Sequence, residues 1–514
     1  MSILVHQAGE ACLELSVEEN STLAGTIWLS GAVRPPALCS GLGCCGKCRV
    51  RFISAPPESC AAEKMTLTAE ELAQNVRLAC RHQACPGMEV QLLAPAGEQW
   101  RHIGSHSGQK LLLAIDLGTT SLHWCALDEK GVKVAEGQEL NPQMGAGSEL
   151  MSRLAAAGTE QGKKRLAGLV RKSLHSVIDA LPETPAQCCL VANPAMTAIF
   201  LEKNIEGLVA APYRLDDHGS RFEKVPGLPR LWLPPQTAPF VGADATACIA
   251  HVLARENAAY PFLLVDLGTN GEFVLALEPH KSLVASVPLG PALEGIGLRH
   301  GSLAEKGAAS AFTLGPQGLR PVVYGGGQAR SICASGYISL VSVLLRCGLL
   351  DPEGHFRTEA RHMPGLRLAE DISRREGAPC LDLDQGLWLG ARDVEAILAV
   401  KAAFSLTLAR LFASAGLHAR DLRHIFLAGA LGSHVDTYDF ETLGFFPSGV
   451  QKIMRGIGNA ALEGAQLFLL DAEARSHAAL WAQGCRALEL AETAGFHEAY
   501  MGHMIFAWAT SEKP

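Results

Sequence analysis

Leu113-Ala-Ile-Asp116-Leu-Gly118-Thr119-Thr120-Ser121 returns in the second half of the chain as Leu263-Leu-Val-Asp266-Leu-Gly268-Thr269-Asn270-Gly271. In each copy an apolar run, suited to one buried strand, ends in an aspartate and a Gly-Thr turn, and a second strand leaves the turn. Such a hairpin can aim backbone N–H groups and hydroxyls at phosphate oxygens while the aspartate holds water or a Mg²⁺ ion. One Asp-x-Gly-Thr turn is commonplace; two in register predict a duplicated, two-lobed α/β domain with a nucleotide loop in each lobe. The surrounding pattern agrees, with helical spacing at 148–157 and 163–181, a buried strand at 188–192, and a long helix at 393–415 before a strand at 423–427.

Upstream of the repeat stands a different chemistry, Cys39-Ser-Gly-Leu-Gly-Cys44-Cys45-Gly-Lys-Cys48, completed by Arg77-Leu-Ala-Cys80. Iron held by thiolates needs several sulfurs converging on one small volume; a glycine-rich loop supplies three of them and a distant cysteine closes the cage. Five cysteines compete for four places. Cys39, Cys45, Cys48 and Cys80 give the plant-type 2Fe-2S spacing lengthened by one residue, which leaves Cys44 as the spare thiol. The glycines at 41, 43 and 46 let the loop turn its N–H groups toward the cluster sulfurs. Zinc would call for a second Cys-x2-Cys knuckle, which is missing. Strands at 3–5, 12–15, 48–53 and 88–93, a short helix at 21–29 and a helix opened by Thr68 that delivers Cys80 complete the unit. That order resembles the β-grasp of plant-type ferredoxins.

The chain has 514 residues, 48% apolar and 19% charged, which is the composition of an ordered protein of several domains. A net charge of −8 advertises no basic face for nucleic acid. The 16 cysteines are scattered rather than arranged as a secreted disulfide framework, so a reducing cytoplasm is expected. No signal peptide and no membrane span are expected either. The boundaries read as a ferredoxin-type domain at 1–95, a polar linker at 96–109, a first ATPase lobe at 110–260 and a second at 261–514.

Asp116-Leu-Gly-Thr-Thr, Asp266-Leu-Gly-Thr-Asn-Gly-Glu272 and Leu427-Ala-Gly429-Ala-Leu-Gly432 resemble the phosphate-1, phosphate-2 and adenosine motifs of the acetate and sugar kinase, heat-shock chaperone and actin superfamily. With the ferredoxin in front, the whole resembles the reductive activators of corrinoid proteins, ATP-dependent enzymes that return cob(II)alamin to cob(I)alamin in methyltransferase systems. Further matches include Asn141-Pro-Gln, Val241-Gly-Ala-Asp244, Gly290-Pro-Ala-Leu-Glu294-Gly and Ile332-Cys-Ala-Ser-Gly336. The resemblance implies catalytic roles for Asp116, Asp266 and Glu272. It implies nucleotide contacts at Gly118, Thr119, Thr120, Gly268, Thr269, Asn270, Gly271, Gly290, Glu294, Gly429 and Gly432. It also implies a 2Fe-2S cluster, ATP and Mg²⁺ as cofactors, with a corrinoid protein and an upstream low-potential electron donor as partners; a homodimer is left open. The family carries a small middle domain between ferredoxin and kinase-like portion. With only 94–108 between them here, that domain is expected to be missing.

Two other classes would use the same hairpins. An ATP-binding redox sensor or assembly factor would keep the cluster as a reporter, and a small-molecule kinase would have no use for a ferredoxin.

Overall fold

Ile3 and Val5, fully buried, alternate with exposed Leu4 and give the strand Ser2–His6 one inward face. It pairs antiparallel with Leu13–Ser16 and parallel with Glu89–Leu92, followed in the sheet by Arg49–Phe52 and Val76–Leu78. A parallel pair needs a crossover. The helix Leu23–Trp28 lies in that crossover, capped where Thr22 Oγ1 accepts from the N–H of Gly25 (3.0 Å) and burying Leu23, Ile27 and Trp28. This is the β-grasp arrangement of a ferredoxin. One local expectation is corrected. Thr68 and Glu71 do form a capping box, but the helix they open, Ala69–Ala73, ends before Asn75 at φ +61, and Cys80 arrives after the strand Val76–Leu78 in the turn Ala79–Arg81. The helix Ala61–Thr66 escaped the sequence reading because its buried residue is a carboxylate, Glu63, rather than an apolar stripe.

The computed structural model describes residues 1–7, 11–43, 45–93, 99–102, 110–316, 318–357, 368–375, 377–488 and 495–509, with the backbone alone at 99–102, 291 and 384. The chain folds as two compact units, Met1–Ala250 with Ala461–Ala479, and His251–Ala460 with Leu480–Pro514. Besides the ferredoxin sheet, the first unit holds a seven-stranded sheet. Its centre is an antiparallel meander, Leu111–Leu117, Ser121–Asp128 and Lys133–Leu140, with Gln187–Val191 added parallel to the first strand. Leu166, Val170 and Leu174 of the helix Glu160–Ala180 join the core of this sheet. Most of the expected linker lies outside the described residues. Within it, however, Gln99–His102 is a strand paired antiparallel to Lys133–Leu140, because an open sheet edge offers backbone partners to any extended segment beside it.

The second unit repeats the plan. Phe262–Leu267, Asn270–Glu278 and Lys281–Pro288 form the meander, and His424–Ala428 runs parallel to its first strand. Its core helix is Ala391–Ala415, stopped by Gly416 in the left-handed conformation at φ +64. It starts ahead of the expected Asp393, whose carboxylate accepts the N–H of Gly390 (3.0 Å). Among the described residues this is the one helix long and apolar enough to cross a membrane, yet 67% of its most apolar stretch is buried inside the unit. Lys401, at its middle and fully buried, donates to the carbonyls of His503 (3.3 Å), Ile505 (2.8 Å) and Ala507 (2.5 Å).

Candidate functional site

The cysteine loop turns through Gly41, Gly43 and Gly46, all at positive φ (+82, +77 and +64). At Gly43 a Cβ would stand 2.9 Å from Arg81 Cδ and 3.1 Å from Ala62 Cβ, so the loop is pressed against the turn that carries Cys80. Glu63 fixes that approach from below. Its carboxylate accepts the N–H of Leu78 (2.7 Å) and of Cys60 (2.9 Å) and meets His82 Nε2 at 2.8 Å. The outcome is a cavity of about 210 Å³ lined by Cys39, Cys45, Cys48 and Cys80. Cys44 lies outside the described residues.

The donor set suits iron. The Cys45 thiol is pushed far up by its hydrogen bond with Cys39 and then by burial, and Cys48 by its bond with Cys80 and then by burial. Four thiolates crowded in this way need a compensating cation, which the iron of a cluster provides. The backbone N–H of Lys47 already points at Cys45 Sγ (3.5 Å). Among the described residues no three His, Cys, Asp or Glu side chains are grouped to hold a single metal ion. The thiols pair Cys39 with Cys45 and Cys48 with Cys80 around this cavity. Beyond the ferredoxin-like residues, the lining includes Met144, Gly145, Ala146 and Gly147 of the same unit.

Asp116 stands near the end of Leu111–Leu117, beside Val191 of the parallel neighbour and opposite His123 in the hairpin. Ligand sites of α/β sheets lie at these carboxyl ends. Thr119 and Thr120 are buried in the turn. Asn193 Nδ2 donates to Thr119 Oγ1 (3.2 Å), Asn141 Nδ2 to the Gly118 carbonyl (2.7 Å), and Arg153 Nη2 to the Thr119 carbonyl (2.9 Å). Of these, the sequence offers only Asn141 as a family match; Asn193 stands where the family pattern departs, and Arg153 falls within an ordinary helical pattern.

In the second unit Asp266 is the cross-strand partner of Glu272, which is buried, and lies beside Ala428 on the parallel strand. Thr269 Oγ1 donates to Glu294 Oε2 (3.0 Å), so Asp266, Glu272 and Glu294 belong to one hairpin and its support. Carboxylates grouped at such a turn suit a hard divalent cation. Gly268, Asn270 and Gly271 complete the turn, and Gly290, at φ +70, leads into Pro291–Glu294. A Cβ on Gly429 would come within 2.7 Å of the Leu267 carbonyl and 3.1 Å of Asp266 Oδ1, and one on Gly432 within 2.7 Å of the Leu427 carbonyl. The segment opening at Gly429 is thereby packed directly onto the Asp266 hairpin. Nearby is a cavity of about 540 Å³ whose lining includes Ser335, Ser339, Arg346, His434 and Tyr438. The Arg346 guanidinium lies 5.4 Å from the centre of the Tyr438 ring. None of these five was a predicted site residue, since they come from three separate helices.

Two family models match the chain, the RACo middle region over 111–256 and the C-terminal ASKHA domain of RACo over 261–513. The first match falls on what the sequence reading took for an ATPase lobe, so the middle region is present rather than missing. Among curated proteins the chain is similar to the corrinoid activation enzyme RamQ of Eubacterium limosum, 29% identical over 428 residues, 77% of this chain and 70% of that protein. It is 27% identical to the [Co(II) methylated amine-specific corrinoid protein] reductase of Methanosarcina barkeri over 267 residues, 46% of this chain and 44% of that one. Among solved structures, a reductive activator for corrinoid, iron-sulfur protein shares the fold with a TM-score of 0.69 at 20% identity, over 98% of both chains.

Proposed function

The chain belongs to the RACo family of reductive activators of corrinoid proteins, and from that premise we propose that it reduces the Co(II) corrinoid of a partner protein to Co(I), with ATP as the energy source. The observation that carries the proposal is the presence, within one unit, of a four-cysteine cavity and a phosphate-type hairpin. A 2Fe-2S cluster held by Cys39, Cys45, Cys48 and Cys80 supplies a one-electron carrier with a potential near about −400 mV. Each further 59 mV uphill costs a one-electron donor about 1.4 kcal/mol, so a lower-potential acceptor calls for ATP.

The chain's own residues supply the coupling machinery. Gly118–Thr120 and Gly268–Asn270 hold the phosphates, Asp116 positions water, Asp266 positions Mg²⁺, and Gly429 lets the adenosine segment close onto the hairpin. ATP works by binding two conformations unequally, so the nucleotide has no need to touch the metal. The partner is a corrinoid protein of a methyltransferase or demethylase system, methylamine systems being the first to try. A low-potential donor acts upstream, and the reaction takes place in the cytoplasm.

The test is anaerobic reconstitution with iron and sulfide, Mg-ATP, a low-potential reductant and candidate corrinoid proteins, followed by the optical spectrum. The expected result is ATP-dependent conversion of cob(II)alamin to cob(I)alamin. An iron-loaded, ATP-hydrolysing chain that reduces none of the candidates would overturn the assignment and favour the sensor class.

A further inference from the structure

The wall that completes the cysteine cavity and the turn read as a phosphate cradle are two ends of one hydrogen-bonded assembly inside the first unit. At the turn, three successive carbonyls are held by two residues. Asn141 Nδ2 donates to the Gly118 carbonyl (2.7 Å), the Asn141 backbone N–H to that of Thr120 (2.8 Å), and Arg153 Nη2 to that of Thr119 (2.9 Å). The same guanidinium reaches the cavity wall, donating from Nε to the Gly147 carbonyl (2.5 Å) and from Nη1 to Gln143 Oε1 (3.1 Å). The next residue, Ser148, gives its N–H to Ser40 Oγ (2.7 Å), and the two hydroxyls lie 2.8 Å apart. Ser40 sits between Cys39 and Gly41 at φ +49, a conformation that a residue other than glycine adopts at a cost. Its contacts with Ser148 help to hold it there.

Asn141, Gln143, Ser148 and Arg153 are all completely buried. Burying a guanidinium carries a desolvation cost that an apolar side chain of the same bulk would avoid. Arginine adds a rigid planar fork that bonds the Thr119 and Gly147 carbonyls at once. We propose that Asn141 and Arg153 are positioning residues that couple nucleotide occupancy at Gly118–Thr120 to the cysteine cavity, so that the oxidised and reduced chains bind nucleotide with different affinity. The proposal rests on the reading of that turn as a phosphate contact. Because coupling is reciprocal, the factor by which reduction changes nucleotide affinity equals the factor by which nucleotide changes the reduction equilibrium.

The experiment uses the full chain loaded with iron and sulfide. The dissociation constant of Mg-ADP is measured by calorimetry on the oxidised and the dithionite-reduced protein, and the midpoint potential is followed by electron spin resonance with and without Mg-ADP. The expected ratio of the two dissociation constants is about tenfold, with a potential shift of matching size. The ratio should collapse toward unity in Arg153→Lys, which keeps the charge and loses the fork. It should also collapse in Ser40→Gly, which accepts the left-handed backbone and removes the hydroxyl at the other end. Equal affinities in the two redox states of the parent overturn the coupling and leave the nucleotide reading intact, whereas absence of Mg-ADP binding in both states overturns the two together. A ratio that persists in both variants removes Arg153 and Ser40 from the path and overturns the proposal as stated.

Discussion

The two Asp-x-Gly-Thr hairpins share a sequence and a topology, but their supports have opposite chemistry. The first turn is held by amides and a guanidinium, through Asn141, Asn193 and Arg153. The second is held by a carboxylate, Glu294, with Glu272 across the strand from its aspartate. A duplicated fold has thus taken a cationic support at one copy and an anionic one at the other. The difference suggests unequal work, with the second hairpin depending on Mg²⁺ and the first transmitting the state of the phosphate toward the cysteine cavity.

The largest effect that can sharpen this contrast is loss of the metal centre in the first unit. Cys45→Ser or Cys48→Ser should abolish cluster absorbance and corrinoid reduction while Mg-ATP hydrolysis persists, and Cys44→Ser should retain about two irons per chain. Next come the aspartates. Asp266→Ala should lower hydrolysis by roughly 10²–10³, the range for loss of one preorganised electrostatic group. Asp116→Ala should lower it too, but with the Mg²⁺ dependence unchanged; a Mg²⁺ titration that shifts equally in both variants would break the contrast.

Glycine substitutions probe the second hairpin more gently. Gly429→Ala combines φ +84 with contacts of 2.7 and 3.1 Å to the second hairpin, so a strain of about 1–3 kcal/mol should raise the KM for ATP roughly tenfold or more. At Gly268 the nearest atom to a new Cβ is the Asn270 carbonyl at 3.4 Å, an ordinary contact, and Gly268→Ala should bind ATP more nearly like the parent. Steady-state kinetics on the pair decide the matter.

The smallest effect is on stability. In the second unit His300 is depressed to about 4 by burial and by Arg299 and Arg375, and His503 to about 4 by burial and by Lys401 and Arg410, against an ordinary 6.5. Between those values the unfolded chain holds protons that the folded chain refuses, so stability is complete above about pH 6.5 and falls as the pH drops toward 4. In the first unit His123 is depressed to about 4 by burial. Urea midpoints at pH 7 and pH 5 should therefore fall in both units, and a midpoint that rises on acidification would contradict the burial of these rings.

Apolar runs and turn residues made the first two strands of each meander and the repeat legible, and helical spacing the long helices, because each is a local pattern; the third strands Lys133–Leu140 and Lys281–Pro288 were not. The sequence also brought out the four cysteines and the three loop glycines, whose chemistry is explicit in their spacing. What stayed hidden was polar and non-local. Glu63 and Arg153 are buried charged residues whose partners lie on other elements, and no local pattern distinguishes them from surface charges. The strand Gln99–His102 forms because a sheet edge is available, and an edge is a property of the tertiary structure. Arg346 and Tyr438 meet across two helices far apart in sequence.

Neither unit is built from one continuous piece of chain, and this bears on how the protein is made. The first requires Ala461–Ala479, where Glu463 pairs with Lys133 (3.0 Å). The second requires the carbonyls of residues 503, 505 and 507 around Lys401. On the ribosome, Lys401 therefore has to wait as a water-solvated ammonium until residue 507 has been polymerised, and the helix around it can close into its core only then. A nascent chain interrupted before that point would hold both sets of hairpin residues and all four cluster cysteines, yet lack the acceptors that allow Lys401 to be buried. Completion of the second unit thus waits on a segment made about a hundred residues after Lys401 itself.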